Sequence, residues 1–162
     1  MPLIVEEPNW KSVIDDAKQS VNQLILIVGP NGSGKSAMLE NAASYNFTSI
    51  NIGLDLSRKL MNLPNESRVM DSEDIAISII ESKNPTRLAI DNTELLFEKP
   101  IQINPLTFLK KVSQRWLTIA TWNGTTAKNK LIYGKQGCSK YEEFVYSDDD
   151  AFVVVPTLPI LK

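Results

Sequence analysis

Apolar residues along this chain follow two spacings, one typical of helices and one typical of buried strands. Apolar side chains at positions 10, 13, 14, 17 and 21 predict an amphipathic helix over 9–22. An uninterrupted apolar run from Leu24 to Val28 predicts a buried strand directly after it. Further strands are predicted over 47–52, 87–91, 116–121, 130–133 and 151–155, and further helices over 35–44, 54–63, 73–82 and 104–114.

This alternation of strands and helices predicts a three-layer α/β fold. We expect a mainly parallel five-stranded sheet with a short C-terminal β extension and no helical lid domain. A chain of 162 residues is long enough for a single domain with one full core. Its expected parts are an N-terminal helix (1–23), a core (24–128) and a C-terminal β segment (129–162).

Several helix boundaries are predicted from capping and breaking residues. Pro64 is expected to end the helix over 54–63, and a polar surface loop is expected over 64–70. Asp71 or Ser72 is predicted to cap the following helix, and Asn104 the last one, which has a proline at its first position.

The strand at 24–28 runs directly into a glycine-rich stretch, G-P-N-G-S-G-K-S, from Gly29 to Ser36. Its spacing is that of a phosphate-binding loop, whose N–H groups and following helix N-terminus face an anion. Lys35 is predicted to reach the β- and γ-phosphates, and the Ser36 hydroxyl to hold Mg²⁺. The predicted nucleotide-binding residues are Gly29, Pro30, Asn31, Gly32, Ser33, Gly34, Lys35, Ser36 and Ala37.

The motif therefore predicts binding of a nucleoside triphosphate, and a purely structural glycine turn is the alternative. The sequence contains no N-K-x-D segment that would read guanine, because the nearest match, residues 129–132, ends in Ile132. ATP with Mg²⁺ is the expected ligand.

A second half of the site is predicted at the end of the strand over 87–91. Asp91 is expected to hold Mg²⁺ beside Ser36, although a strand-terminal acid can also cap a helix. Asn92 cannot accept a proton but could orient a water molecule. Glu94 is a candidate general base, with a first-turn helix residue as the alternative role. If Glu94 is only structural, hydrolysis should be slow or should depend on a partner.

Two further sets of residues are candidates for contacting the γ-phosphate. Thr121 and Asn123 lie at the end of the strand over 116–121 and are candidate γ-phosphate sensors, although Asn123-Gly124 is also typical of a turn. Phosphoryl transfer usually needs a positive group for the developing charge. No arginine lies in an identifiable lid, so Arg58 or Arg115 of a second copy is the candidate donor, with ordinary solvated arginines as the alternative.

Composition narrows the function classes further. Histidine is absent and Cys138 is the single cysteine, which excludes histidine-based catalysis, disulfides and cysteine metal clusters. The formal net charge is −2, and we expect a cytoplasmic location with no membrane association. The segment 99–141 carries eight bases and no acid, which suggests a DNA contact; a solvated basic face balanced by the acids over 142–150 is the alternative.

Two segments carry a resemblance to a known family. These are N-I-G-L-D-L-S-R-K-L from Asn51 to Leu60 and L-A-I-D-N-T-E-L-L-F from Leu88 to Phe97. Together with the phosphate loop, they resemble BrxF, the small P-loop family of type 3 BREX (bacteriophage exclusion) systems. The resemblance implies an ATP-binding component of an anti-phage defence complex. It would act with a methyltransferase, a phosphatase-like protein and a large ATPase.

The leading hypothesis is an ATPase or ATP-dependent switch. A non-hydrolysing scaffold that uses nucleotide to order an interface is the first alternative. A small-molecule kinase is the second, although such kinases carry an arginine-rich lid that the four scattered arginines do not provide.

Overall fold

The computed structural model describes residues 2–6, 8–63, 65–134, 141–147 and 149–157, with the side chains of 65–71 left out. Pro64, Lys135, Cys138, Lys140 and Asp148 therefore lie outside the described part. The strands are β1 (Leu3–Ile4), β2 (Leu24–Gly29), β3 (Thr48–Asn51), β4 (Arg87–Asp91), β5 (Leu117–Ala127), β6 (Lys130–Tyr133), β7 (Glu142–Val145) and β8 (Val153–Pro156). The helices are α1 (Trp10–Gln19), α2 (Lys35–Ala43), α3 (Ile52–Leu60), α4 (Asn65–Ser82) and α5 (Pro105–Ser113), with 3₁₀ helices at Thr93–Phe97 and Lys99–Ile101.

Six strands form a parallel array in the order β1-β8-β2-β5-β4-β3. β5 continues beyond this array, and its last four residues pair antiparallel with β6, which pairs antiparallel with β7. The sheet of the described residues is therefore mixed and eight-stranded. The expected number of five strands is wrong, and the expected parallel arrangement holds for the six-stranded array only. The two-residue β1 and the charged β7 are too short or too polar to show strand periodicity.

Helices cover both faces of this sheet, so the expected layering is observed. On one face α1 and α2 pack through Val13, Ala17 and Leu39 against Ile25 and Ile27 of β2. On the other face α3, α4 and α5 form the larger core, which contains Leu56, Ile80, Phe108, Val112, Leu26 and Trp122. Alternate side chains of β2 enter opposite cores, which explains why this strand is buried along its whole length.

The helix boundaries agree with the sequence in part. Asn104 Oδ1 accepts from Thr107 N at 3.1 Å and caps α5, as predicted. α4 instead begins at Asn65, so the predicted loop is wrong over residues 65–70, and Asp71 and Ser72 lie inside a helix rather than at its cap. Within the described part, no helix is long and apolar enough to cross a bilayer.

Candidate functional site

The phosphate loop connects the buried strand β2 to helix α2. Gly32 has φ +78° and Gly34 has φ +92°, and both values lie in the left-handed region that favours glycine. α2 starts at Lys35, directly after Gly34, and no side chain caps it. The first N–H groups of α2 are therefore available to an anion, as the sequence predicts for this motif.

Gly29 is required for a different reason from the other two glycines. A Cβ placed on Gly29 would lie 1.9 Å from Thr157 Oγ1 and 2.4 Å from Ser33 Oγ, closer than real Cβ contacts allow. Its φ is outside the left-handed range, so close approach by two side chains, rather than backbone conformation, excludes a larger residue here.

A cavity of about 300 Å³ lies above the loop and brings the two predicted halves of the site together. Six predicted loop residues line this cavity, namely Asn31, Gly32, Gly34, Lys35, Ser36 and Ala37. The opposite wall is formed by Asp91, Asn92, Glu94, Thr121 and Asn123. Gly29, Pro30 and Ser33 do not contribute to the lining, and the hydroxyl of Ser33 instead contacts Thr157.

Lys35 is buried at the base of this cavity, with 6% of its surface exposed. Its Nζ donates to the carbonyl of Pro30 at 2.9 Å. Burial lowers the pKa of Lys35, and the nearby carboxylates of Glu94 and Asp91 oppose that shift. A buried cation beside two acids and five other loop residues is a suitable partner for a bound phosphate group.

Asp91 ends β4, and its carboxylate is held by two donors. Oδ1 accepts from the backbone N–H of Asn92 at 2.8 Å and from the hydroxyl of Thr121 at 3.3 Å. Thr121 is buried on the neighbouring strand β5, which explains how the carboxyl ends of β4 and β5 fix the acid. Asp91 and Ser36 face the same cavity, as predicted.

Asn92 turns the chain into the 3₁₀ helix that carries Glu94. Its backbone is left-handed, with φ +54°, a conformation that asparagine adopts more readily than most residues. Gly53 lies against it, since a Cβ on Gly53 would be 2.7 Å from the Asn92 carbonyl oxygen. The hydroxyl of Thr93 anchors the turn from the other side by donating to Thr121 O at 2.7 Å.

Glu94 and Asn123 contact each other on the same wall of the cavity. Asn123 Nδ2 donates to Glu94 Oε1 at 2.6 Å, and both side chains are partly buried. Asn123 lies inside β5, in register with Gly29 of β2, so the alternative that Asn123-Gly124 forms a turn is wrong. The chain turns directly after Asp91, and this turn brings Glu94 to the cavity.

Neither candidate arginine lines this cavity. Arg115 lies before the amino end of β5, where it pairs with Glu81 at 3.1 Å and its guanidinium carbon lies 4.2 Å from the Trp116 ring centroid. Arg58 lines a separate cavity between α3 and α4, together with Asp55 and Lys83. An arginine contribution from either residue would have to come from another copy of the chain.

Several bases of the segment 99–141 have acidic partners. Lys110 pairs with Asp150 at 3.0 Å and Lys111 with Glu73 at 2.8 Å. Lys130 pairs with Glu143 of the adjacent strand β7. These pairs agree with the alternative of a solvated face whose charge is balanced by nearby acids.

Residues that sequence reasoning missed are Gly53, Thr93 and Thr157. Each acts through a contact with a residue that is distant in sequence or through a single side-chain hydroxyl, so no local pattern marks it.

No family model matches this chain, and no curated protein matches it significantly. A solved structure of PCH-2 from C. elegans aligns with a TM-score of 0.47 at 18% sequence identity. The alignment covers 96% of this chain and 44% of that one, so the chain spans less than half the length of PCH-2.

Proposed function

We propose that this chain binds a nucleoside triphosphate, ATP with Mg²⁺, in the cavity above the phosphate loop. The observation that carries the proposal is that one cavity of about 300 Å³ is lined by Lys35 and Ser36 on one wall and by Asp91 and Glu94 on the other. Phosphate-binding loops require this combination of backbone N–H groups, a lysine, a hydroxyl and an acid.

The donor set fits Mg²⁺. Among the described residues no group of three or more His, Cys, Asp or Glu side chains could hold a metal alone. Mg²⁺ is usually held by one or two carboxylates, water and substrate phosphates rather than by an all-protein cage. Ser36 Oγ and the Asp91 carboxylate would be its protein ligands, and the bound ion would neutralise charge on the β- and γ-phosphates.

Lys35 supplies the positive charge at the base of the site. Its ammonium donates to the Pro30 carbonyl, a neutral acceptor. A phosphate oxygen carries negative charge and forms a stronger hydrogen bond with an ammonium group than a carbonyl does. Replacement of the Pro30 carbonyl by a phosphate oxygen as the acceptor would therefore favour binding of the nucleotide.

The same geometry supports hydrolysis with Glu94 as the general base. The support comes from the contacts that Glu94 and its neighbours make on the cavity wall opposite the loop. Asn92 is placed by its backbone turn and could orient water with its amide, and Asn123 holds Glu94 and could also contact the γ-phosphate. Because Glu94 already accepts a 2.6 Å hydrogen bond, we expect turnover to be slow or to depend on a partner that changes this contact.

The non-hydrolysing scaffold remains the alternative that this same hydrogen bond favours. A glutamate held by Asn123 would stabilise the cavity wall without accepting a proton from water. The small-molecule kinase receives less support, because no arginine is found among the residues that line the described cavity.

The resemblance to BrxF supports a role as an ATPase or ATP-dependent switch in a BREX anti-phage defence complex in the cytoplasm. In that role its partners would be the other BREX proteins. A second copy would supply Arg58 or Arg115 to the site, and the basic segment 99–141 would provide a DNA contact. Arg58 is the more available of the two arginines, since Arg115 is paired with Glu81.

Isothermal titration calorimetry with Mg·ATP tests the binding proposal. We expect wild type to bind and Lys35→Ala and Ser36→Ala to bind at least roughly tenfold more weakly, because each loses a charge-assisted or metal-mediated contact. Lys11→Ala, which removes an exposed lysine from α1, is the control and should bind like wild type.

Undiminished affinity in Lys35→Ala and Ser36→Ala would contradict the proposal. Absence of binding by a folded wild-type chain would contradict it as well.

A further inference from the structure

The end of strand β8 lies beside the phosphate loop. β8 pairs in parallel with β2, and the pairing continues one residue beyond it, where Thr157 N donates to Val28 O at 2.9 Å. Val28 is the last residue before Gly29, so this backbone contact places Thr157 at the level where the loop begins.

The side chain of Thr157 contacts the loop directly. Its hydroxyl donates to Ser33 Oγ at 2.9 Å, and both residues are partly buried. The absence of a side chain at Gly29 leaves the space in which these hydroxyls meet, because a Cβ there would overlap both oxygens. The first glycine of the motif and the Thr157–Ser33 contact therefore depend on each other.

Ser33 is the loop residue that receives this contact. It lies between Gly32 and Gly34, which are both left-handed and have open space around their Cα atoms. Other bonds of the described loop residues lie within the loop or join it to α2, such as Ser33 N to Pro30 O at 3.2 Å and Lys35 Nζ to Pro30 O at 2.9 Å. Within the described part, the Thr157 hydroxyl is the side-chain group outside the loop and α2 that bonds to residues 30–34.

We propose that Thr157 is a positioning residue for the phosphate loop. Its hydroxyl holds Ser33 outside the cavity, so that Gly32, Gly34 and Lys35 are kept in the conformation that presents their N–H groups to phosphate. This role rests on the proposed function and deepens it, since it assigns part of the triphosphate affinity to a residue on the far side of the loop.

The contribution of this hydrogen bond to the binding affinity is limited. A neutral side-chain hydrogen bond contributes modestly to an equilibrium, so its loss should weaken binding about three- to tenfold. The effect should be the same for Mg·ATP and for Mg-tripolyphosphate. The loop is expected to contact the phosphates, which both ligands carry, and not the adenine, which only ATP carries.

Thr157→Val tests the role, because valine keeps the shape of threonine and removes its hydroxyl. Calorimetry with Mg·ATP and with Mg-tripolyphosphate should show the weakening for Thr157→Val and for Ser33→Ala, and no further loss in the double variant. Thr157→Ser restores the hydroxyl and should bind like wild type. If Thr157→Val does not fold, Ser33→Ala tests the same hydrogen bond, because it removes the acceptor.

Thr118→Val is the matched control. Thr118 is buried at the opposite end of β5, and its hydroxyl donates to Trp116 O at 2.7 Å. The same substitution removes a hydrogen-bonded hydroxyl there, so it reproduces any general loss of stability without touching the loop. Its affinity for both probes should match wild type.

Hydrogen–deuterium exchange of the ligand-free protein separates this inference from the proposed function. Thr157→Val should speed exchange of the amides at residues 31–35, and neither Thr157→Ser nor Thr118→Val should do so. Unchanged exchange in Thr157→Val would overturn the positioning role. Wild-type affinity of Thr157→Val for Mg·ATP, in an experiment where the wild-type chain does bind, would overturn it as well. A wild-type chain that binds neither probe would contradict the proposed function, while the exchange result would still decide the role of Thr157.

Discussion

A single hydrogen bond holds Glu94, the proposed general base. Asn123 Nδ2 donates to Glu94 Oε1 at 2.6 Å, and Glu94 also lies near the cation of Lys35. A carboxylate oxygen with a close donor must give up or share that contact before it accepts a proton from water. Hydrolysis at the proposed site would therefore depend on the position of Asn123 as much as on Glu94 itself.

Glu94→Gln should abolish most hydrolysis while leaving nucleotide affinity nearly unchanged. Loss of a general base typically costs roughly 100-fold or more in rate, and glutamine keeps the size of the side chain. Release of phosphate from Mg·ATP measures the rate, and Glu40→Gln, an exposed position on α2, is the control.

Equal phosphate release by Glu94→Gln and wild type would exclude Glu94 as the base. If wild type binds Mg·ATP and releases no phosphate, alone or with its partners, the non-hydrolysing scaffold is favoured.

At this scale the sequence predicted the residues with a local signature and missed those with distant partners. Lys35, Ser36 and Asp91 follow from a motif and a strand end, and the structure brings them to one cavity. The role of Gly29 depends on Thr157, which lies 128 positions later in the chain. No local spacing encodes such a contact.

Among the elements, the β5–β6–β7 extension supports the site from behind. Phe97, in the 3₁₀ helix that carries Glu94, stacks on Tyr133 of β6 with ring centroids 3.7 Å apart. The same ring makes edge contacts with Trp122 and Phe144 at 4.9 and 5.6 Å. Such aromatic packing stabilises beyond the buried area alone. The extension thus fixes the position of the helix that bears the candidate base.

A second link joins α5 to the turn before β8. Asp150 accepts from Lys110 Nζ and from Ser147 N, each at 3.0 Å. Burial alone would raise the pKa of Asp150, but these two donors outweigh it and hold the pKa below its ordinary value of 3.8. A lowered carboxyl pKa contributes stability above pH 3.8, and that stability is lost as the pH falls through the lowered value.

Asp150→Asn should therefore reduce the free energy of unfolding by about 1 kcal/mol at pH 7. The difference from wild type should shrink as the pH falls below 3.8, because the wild-type carboxylate becomes protonated. Urea titrations at pH 7 and at pH 3 measure it, with the neighbouring exposed Asp149→Asn as the control. A difference of the same size at both pH values would contradict the ion-pair account.

The elements predicted best were those with strong periodicity. β2, β4 and α5 lie close to their expected bounds because a buried apolar run, a strand-terminal acid or a capping asparagine marks them. The start of α4 was missed because its first turns are polar. The continuation of β5 through Asn123-Gly124 was missed because this dipeptide usually forms turns. Here Gly124 allows β6 to approach, since a Cβ on Gly124 would lie 1.8 Å from the Ile132 carbonyl oxygen.

In the whole molecule, strand order brings the site together. β2, β5 and β4 are neighbours in the sheet and run parallel to one another. Their carboxyl ends therefore place the loop, Asn123 and Asp91 along one edge of the sheet. Ligands of open α/β sheets bind at this edge. A parallel arrangement was expected from the alternation of elements, and it explains why the site was more predictable than the number of strands.

A crystal structure with Mg²⁺ and a non-hydrolysable ATP analogue tests the central claim most directly. The account predicts the triphosphate over Gly32–Ser36, Lys35 Nζ moved from Pro30 to a phosphate oxygen, and Mg²⁺ between Ser36 Oγ and the Asp91 carboxylate. Nucleotide bound elsewhere, or phosphate density with Lys35 still bonded to Pro30 and no ion beside Ser36, would contradict it.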